Sequence, residues 1–163
     1  MKKEKKRAKV IRTCGRICSG KSTYAQRLKE QLCGVILSID ELMLDILGGD
    51  TGDRHDEFVS RTEKYLYKKS VEIAKAGIVV ILDWGFWKKS DRDFARSFYR
   101  ENGIDCEFHY ISVDDDEWKR RIEKRNAEVR NGRSDAYFID EGLAAKFESL
   151  FEAPDKGEMD IWI

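Results

Sequence analysis

Gly15-Arg16-Ile17-Cys18-Ser19-Gly20-Lys21-Ser22, followed by Thr23, matches the pattern G-x-x-x-x-G-K-[ST] in full. Glycine lets the backbone wrap closely enough for successive N–H groups to ring a phosphate, and a helix opening at the lysine adds its positive end. Lys21 is then placed to reach the β- and γ-phosphates, and the Ser22 hydroxyl to bind Mg²⁺. A random chain of this length meets the pattern at about the one-per-cent level, so a bare glycine loop is the weaker reading. The expected ligand is a nucleoside triphosphate, with residues 15–23 as its cradle. The motif alone leaves the fate of the γ-phosphate open.

Carboxylates and arginines further along carry the rest of the candidate chemistry. Asp40 follows the apolar run Val35-Ile36-Leu37-Ser38-Ile39. In an open parallel sheet, ligand chemistry gathers at the carboxyl ends of the strands. A carboxylate there can take the proton of an attacking hydroxyl, although Asp40-Glu41-Leu42 also reads as a capped helix start. Asp83 ends the run Ile78-Val79-Val80-Ile81-Leu82, the pattern of a carboxylate that holds Mg²⁺. The aromatics of Trp84-Gly85-Phe86-Trp87 either line an acceptor pocket or pack under the next helix. Arg92 is either a phosphate clamp or a solvated helix charge. Arg121 and Arg125 are four residues apart, so they share a helix face and could grip transferring oxygens together, with Arg120 on the other side. The alternative is a solvated helix laced by pairs such as Glu117 with Arg121. A loop at 131–135 would close a lid over the transfer, the lid as a whole spanning about 118–137. The segment around Pro154, residues 151–158, is either a nucleotide-base edge or a plain turn. His55 and His109 suggest no metal site. Cys14 and Cys18 flank the phosphate loop without forming a catalytic thiol.

The elements needed to position these groups are legible as an alternation. Strands are expected at 10–14, 35–39, 78–82, 106–113 and 159–163. Helices are expected from Lys21 with Ala25, Leu28 and Leu32 inward, at 41–47, and along a stripe of Phe58, Thr62, Tyr65, Leu66, Ile73 and Ala74 stopped by Gly77. Further helices follow between Asp91 and Asn102, over 114–130, and through Ile139, Leu143, Phe147 and Leu150. The glycines and aspartates of 48–53 read as a loop. Strands alternating with helices mean βαβ units and a parallel sheet covered on both faces.

The 163 residues suit one domain, 1–163, with no linker or repeat. Hydrophobic residues at 41% and aromatics at 11% exclude wholesale disorder. No apolar stretch approaches the ~20 residues of a membrane helix, and residues 1–9 lack a signal-peptide core. Four cysteines without a C-x-x-C pair point to a reduced, cytoplasmic protein rather than a disulfide or zinc framework. The 31 basic and 31 acidic residues conceal an asymmetry. Residues 1–9 hold six positive charges and one negative, leaving 25 positive and 30 negative in the remainder. The basic arm, 1–8, reads as a solvated terminus or as a nucleic-acid contact, the former being favoured.

With these residues in place, the chain resembles the P-loop kinase family that groups zeta-toxin-like, chloramphenicol phosphotransferase-like and polynucleotide-kinase-like ATP-binding proteins. The resemblance spans about residues 8–163 and rests on GRICSGKST, VILSID, ILDWGFW, RRIEKRN and FEAPDKGE. It implies a three-layer α/β P-loop NTPase fold with a five-stranded parallel sheet in the order 2-3-1-4-5 and a helical lid. It also implies Mg-ATP and transfer of the γ-phosphate to a hydroxyl. By that analogy Asp40 is the base, and Arg121 and Arg125 are lid arginines acting with Lys21, while Ser22 and Asp83 hold the metal. Cys18 stands where many relatives have Gly. Asp83-Trp84-Gly85-Phe86 replaces the D-G-x-P-R element of nucleoside monophosphate kinases, which speaks against a nucleotide acceptor. The leading expectation is an ATP-dependent kinase of a small molecule. The rivals are a polynucleotide 5′-hydroxyl kinase using the basic arm, and a nucleotide-binding switch or slow ATPase.

Overall fold

The computed structural model describes residues 8–48, 51–134 and 136–163. The N-terminal arm up to Arg7, Gly49 and Asp50 of the 48–53 loop, and Asp135 of the expected lid loop lie outside the described residues. Five strands form one sheet: β1 (Lys9–Cys14), β2 (Val35–Leu37), β3 (Val80–Leu82), β4 (Asp105–Tyr110) and β5 (Ile161–Trp162). Their spatial order is β2-β3-β1-β4-β5, and every pairing is parallel. The helices are α1 (Lys21–Leu32), α2 (Ile39–Leu47), α3 (His55–Lys75), α4 (Lys89–Glu101), α5 (Asp115–Arg130) and α6 (Glu141–Leu150).

The central strands are apolar on both faces because helices cover both. Val80, Ile81 and Leu82 are completely buried. Val80 and Leu82 join Val10, Phe108 and residues of α3 and α4 in the larger core. Ile81 turns the other way, onto Ile11, Ala25 and Leu28 of the α1 side. At about 1.5–3 kcal/mol for each fully buried aliphatic side chain, this double burial is what holds the sheet's register.

That register places the strand exits. Leu37, Leu82 and Arg12 lie side by side across β2, β3 and β1. Ser38 and Asp83 therefore leave the sheet at one level, and the Asp83 N–H still donates to the Leu37 carbonyl at 3.1 Å. β1 runs two residues further, so Gly15 emerges just beyond them.

Several elements differ from their sequence-derived limits. β2 stops at Leu37, because Ser38 caps α2 by accepting the Glu41 N–H at 3.3 Å. Ile39 and Asp40 are thereby helical. Asp40 is not the cap itself. β3 begins at Val80, since the Ile78 N–H is still bonded to the Ile73 carbonyl at the end of α3. β4 starts at Asp105 and ends at Tyr110, and β5 is two residues long. On α3 the inward stripe is Leu66, Tyr67, Ser70, Val71 and Ala74, with Tyr65 exposed. Ser70 is tolerated there because its hydroxyl bonds the Tyr67 carbonyl and the Tyr99 hydroxyl, both at 2.7 Å.

Candidate active site

The loop from Gly15 to Gly20 is shaped by chain geometry that side chains resist. A Cβ on Gly15 would lie 2.7 Å from both the Ile111 carbonyl oxygen and Ser19 Oγ, so only glycine fits between them. Gly20 has φ 101° as it caps α1, and Cys18 holds φ 58° in the same left-handed region. Ser19 is 1% exposed, and its hydroxyl has no hydrogen-bond partner among the described residues. A backbone turn closed to a Cβ at Gly15, with the buried Ser19 hydroxyl beside it, fits a phosphate group.

Lys21 bends back over the loop, donating to the Gly15 carbonyl at 3.1 Å and the Arg16 carbonyl at 2.7 Å. Burial lowers its pKa, opposed by Asp83, the two loop cysteines and Asp40. Asp83 is raised by burial, with Ser22 and Lys21 pulling it back down and Asp40 pushing it up. Its carboxylate also accepts the Thr13 hydroxyl at 3.4 Å. Lys21, Ser22, Asp83 and Asp40 therefore meet electrostatically at the ends of three adjacent strands. Asp40 itself is exposed, on the first turn of α2.

The α5 arginines reach the loop from the opposite side. Arg121 NH1 donates to the Ser19 carbonyl at 2.5 Å, while its Nε is held by Glu117 at 2.6 Å. Arg125 approaches Cys18 Sγ at 3.6 Å. Arg120 pairs with Glu117 and points outward, 77% exposed. Asn126 fastens α5 to the following segment through the Ile139 N–H and carbonyl at 2.8 and 2.6 Å. Arg16 and Ile17 contribute backbone to the loop, but the Arg16 side chain leaves it. It stacks 4.1 Å over Trp118 and pairs with Asp115 at 2.6 Å and Glu148 at 2.5 Å. Thr23 is exposed on α1.

Both sequence-derived roles for Arg92 are corrected. It is 1% exposed, so it is no solvated charge, and its nitrogens are engaged by carbonyls and Glu158 rather than left for a phosphate. The aromatic segment packs inward: Trp84 and Phe86 are buried in the larger core and stack 5.4 Å apart, and Trp87 meets Phe147. A Cβ on Gly85 would strike the Trp87 indole at 2.3 Å, which explains the glycine between the aromatics. The expected pair of Glu117 with Arg121 is present, whereas Trp118 and Glu148 carry no signal in the sequence for positions beside the loop. Trp118 donates to the Ile17 carbonyl at 2.8 Å, and its only sequence signal was a large apolar residue in a charged helix.

The family model described as AAA domain matches residues 10–153. The chain belongs to this family. No curated protein matches the AAA-domain chain. Among solved structures it is similar to the Mycobacterium tuberculosis APS kinase CysC, solved with AMPPNP and APS, at 21% identity. That match covers 96% of this chain and 88% of the other, with a TM-score of 0.68. A sugar kinase from Janibacter matches at 18% identity, 96% and 84% coverage and a TM-score of 0.64. A gluconokinase from Sinorhizobium meliloti matches at 14% identity, 96% and 82% coverage and a TM-score of 0.64. At these identities the likeness is one of fold, and the AAA-domain chain has the P-loop kinase fold.

Proposed function

We propose that this protein is a Mg-ATP-dependent kinase that transfers the γ-phosphate to a hydroxyl group of a small molecule. The observation that carries the reading is the meeting of Lys21, Ser22, Asp83 and Asp40 at the carboxyl ends of β1, β3 and β2. Backbone amides of residues 15–23 would hold the phosphates, with Lys21 exchanging the Gly15 and Arg16 carbonyls for phosphate oxygens. Ser22 and Asp83 would hold Mg²⁺, which supplies neutralisation of phosphate charge. Burial raises the Asp83 pKa, so a cation beside it offsets the cost of keeping the carboxylate ionised.

Asp40 takes the proton from the acceptor hydroxyl as its oxygen forms the new bond to phosphorus and the bond to the ADP oxygen breaks. Arg121 and Arg125 steady the transferring oxygens, and Arg121 gives up the Ser19 carbonyl to do so. Most of the acceleration comes from positioning and fixed charge rather than covalent chemistry. The kinase neighbours support the reaction class, and one of them, the CysC structure, holds AMPPNP and APS.

The test is ADP release with a panel of sugars, antibiotics and a 5′-hydroxyl oligonucleotide. Asp40→Asn is expected to lower transfer about 10²-fold or more while leaving ATP binding unchanged. Normal transfer by that variant would remove Asp40 as the base. Tight ATP binding without a phosphorylated product from any acceptor would favour a switch or ATPase instead.

A further inference from the structure

Arg92 sits in the first turn of α4, 1% exposed, and joins two loops that are distant in sequence. Its NH1 donates to the Phe86 and Trp87 carbonyls, both at 3.2 Å, in the loop between β3 and α4. The same nitrogen donates to the Glu152 carbonyl at 2.9 Å, in the loop between α6 and β5. Its Nε and NH2 face the Glu158 carboxylate at 3.2 and 3.4 Å. The two loops are also laced directly, by the Glu152 N–H to the Trp87 carbonyl at 2.8 Å and the Lys89 N–H to Glu152 at 2.7 Å.

A buried ion pair is poor evidence for stability, since desolvation offsets most of its attraction. Arginine instead supplies a rigid planar fork able to satisfy several acceptors in fixed directions, and buried carbonyls without partners are costly. Each loop borders the proposed site. Asp83 stands at the root of the first, and the Phe86 carbonyl also accepts the Cys14 thiol at 3.5 Å, next to the phosphate loop. The second leaves α6 at Phe151, which packs beside Arg16 and Ile17 of the phosphate loop.

We propose that Arg92 is a positioning residue that binds the β3–α4 and α6–β5 loops into one unit, so that a nucleotide held against the second loop also orders the first. The inference rests on the kinase reading above for the nucleotide itself, and on Phe151 beside Arg16 and Ile17 for placing that nucleotide against the second loop.

The experiment is hydrogen exchange on the full chain with and without AMPPNP and Mg²⁺. In the wild type, nucleotide is expected to slow exchange in both 84–89 and 151–158. In Arg92→Lys, whose single ammonium cannot span the same acceptors, protection of 84–89 is expected to be lost while 151–158 still responds. Glu158→Gln keeps the carbonyl bonds but removes the paired charge; it should show a partial loss, and it decides the matter if Arg92→Lys does not fold. Protection confined to 151–158 in the wild type, or full protection of 84–89 in the variants, overturns the proposal. If the wild type binds no nucleotide, the kinase reading fails separately. The ligand-free exchange then decides the loop unit: 84–89 and 151–158 loosening together in a variant supports it, and either one loosening alone overturns it.

Discussion

Gly15 shows how little room the phosphate loop leaves. Its missing side chain admits the Ile111 carbonyl and Ser19 Oγ, and the first is backbone that cannot rotate away. Gly15→Ala is expected to weaken binding of a fluorescent ATP analogue at least tenfold, read by equilibrium titration; an unchanged affinity would remove the loop as the cradle. Cys18 bears a different constraint, because φ 58° is strained for any side chain and most of all for a β-branched one. Cys18→Val should cost about 1–2 kcal/mol in denaturant unfolding. Cys18→Gly should stay close to wild type, since relief of strain is offset by the freer unfolded chain.

Helix α5 brings its arginines to the loop already engaged. Arg121 spans Glu117 and the Ser19 carbonyl, so its charge is fixed at the loop mouth before any phosphate arrives. Arg121→Lys keeps the charge but loses the fork. It is expected to lower kcat about 10²-fold with a smaller change in the KM for ATP, measured by coupled ADP release. An unaltered kcat would place Arg121 outside the transfer. Strand β1 presents the opposite case in Arg12, which is wholly buried with none of its guanidinium nitrogens bonded among the described residues. Its charge lies 3.2 Å from the Phe108 ring centre and within 6 Å of Tyr99 and Phe86. Desolvation nevertheless brings its pKa down to about 10. Because an unpaired buried cation costs more than ring contacts return, Arg12→Met should leave stability unchanged or raise it by about 1 kcal/mol in denaturant unfolding. A large loss would show that the charge holds the core together.

Across the whole molecule, acid should destabilise through one half-buried chain on the α1 side of the sheet. Lys9 bonds Glu107 at 2.7 Å, Glu107 meets His109 Nε2 at 3.1 Å, and His109 Nδ1 faces the Tyr24 hydroxyl at 2.8 Å. Burial holds the His109 pKa below its ordinary 6.5, against the pull of Glu107. The unfolded chain therefore binds the proton first, so this stability is complete above 6.5 and declines as the pH falls below it. Burial works against the Glu107 carboxylate, but Lys9 and His109 keep its pKa below 4.5. Its contribution is present above 4.5 and is lost as the pH falls through the folded value. The Tm should fall between about pH 7.5 and about pH 5.5, and less steeply in His109→Gln. Equal slopes in the two proteins would exclude His109 as the source.

The phosphate loop, the buried run into Asp83 and the alternation of strands with helices were legible in the sequence, because each depends on neighbours within a few residues. Cradle geometry is local backbone chemistry, and double-sided burial writes itself as a continuous apolar run. The limits of β2 and β5 were less so, since Ser38 capping and the short partner at the sheet edge cut them back. The destinations of long polar side chains were not legible at all. Arg92 finds Glu152 and Glu158 at separations of 60 and 66 residues, and Arg16 finds Glu148 at 132. Trp84 and Phe86 likewise became core only once α3 and α4 closed over them. The sequence by itself determined the glycine-bounded loop proposed as the phosphate cradle and the class of sheet that carries it. Only the tertiary structure decided which charges meet, because a guanidinium's partners are chosen by distances that folding creates.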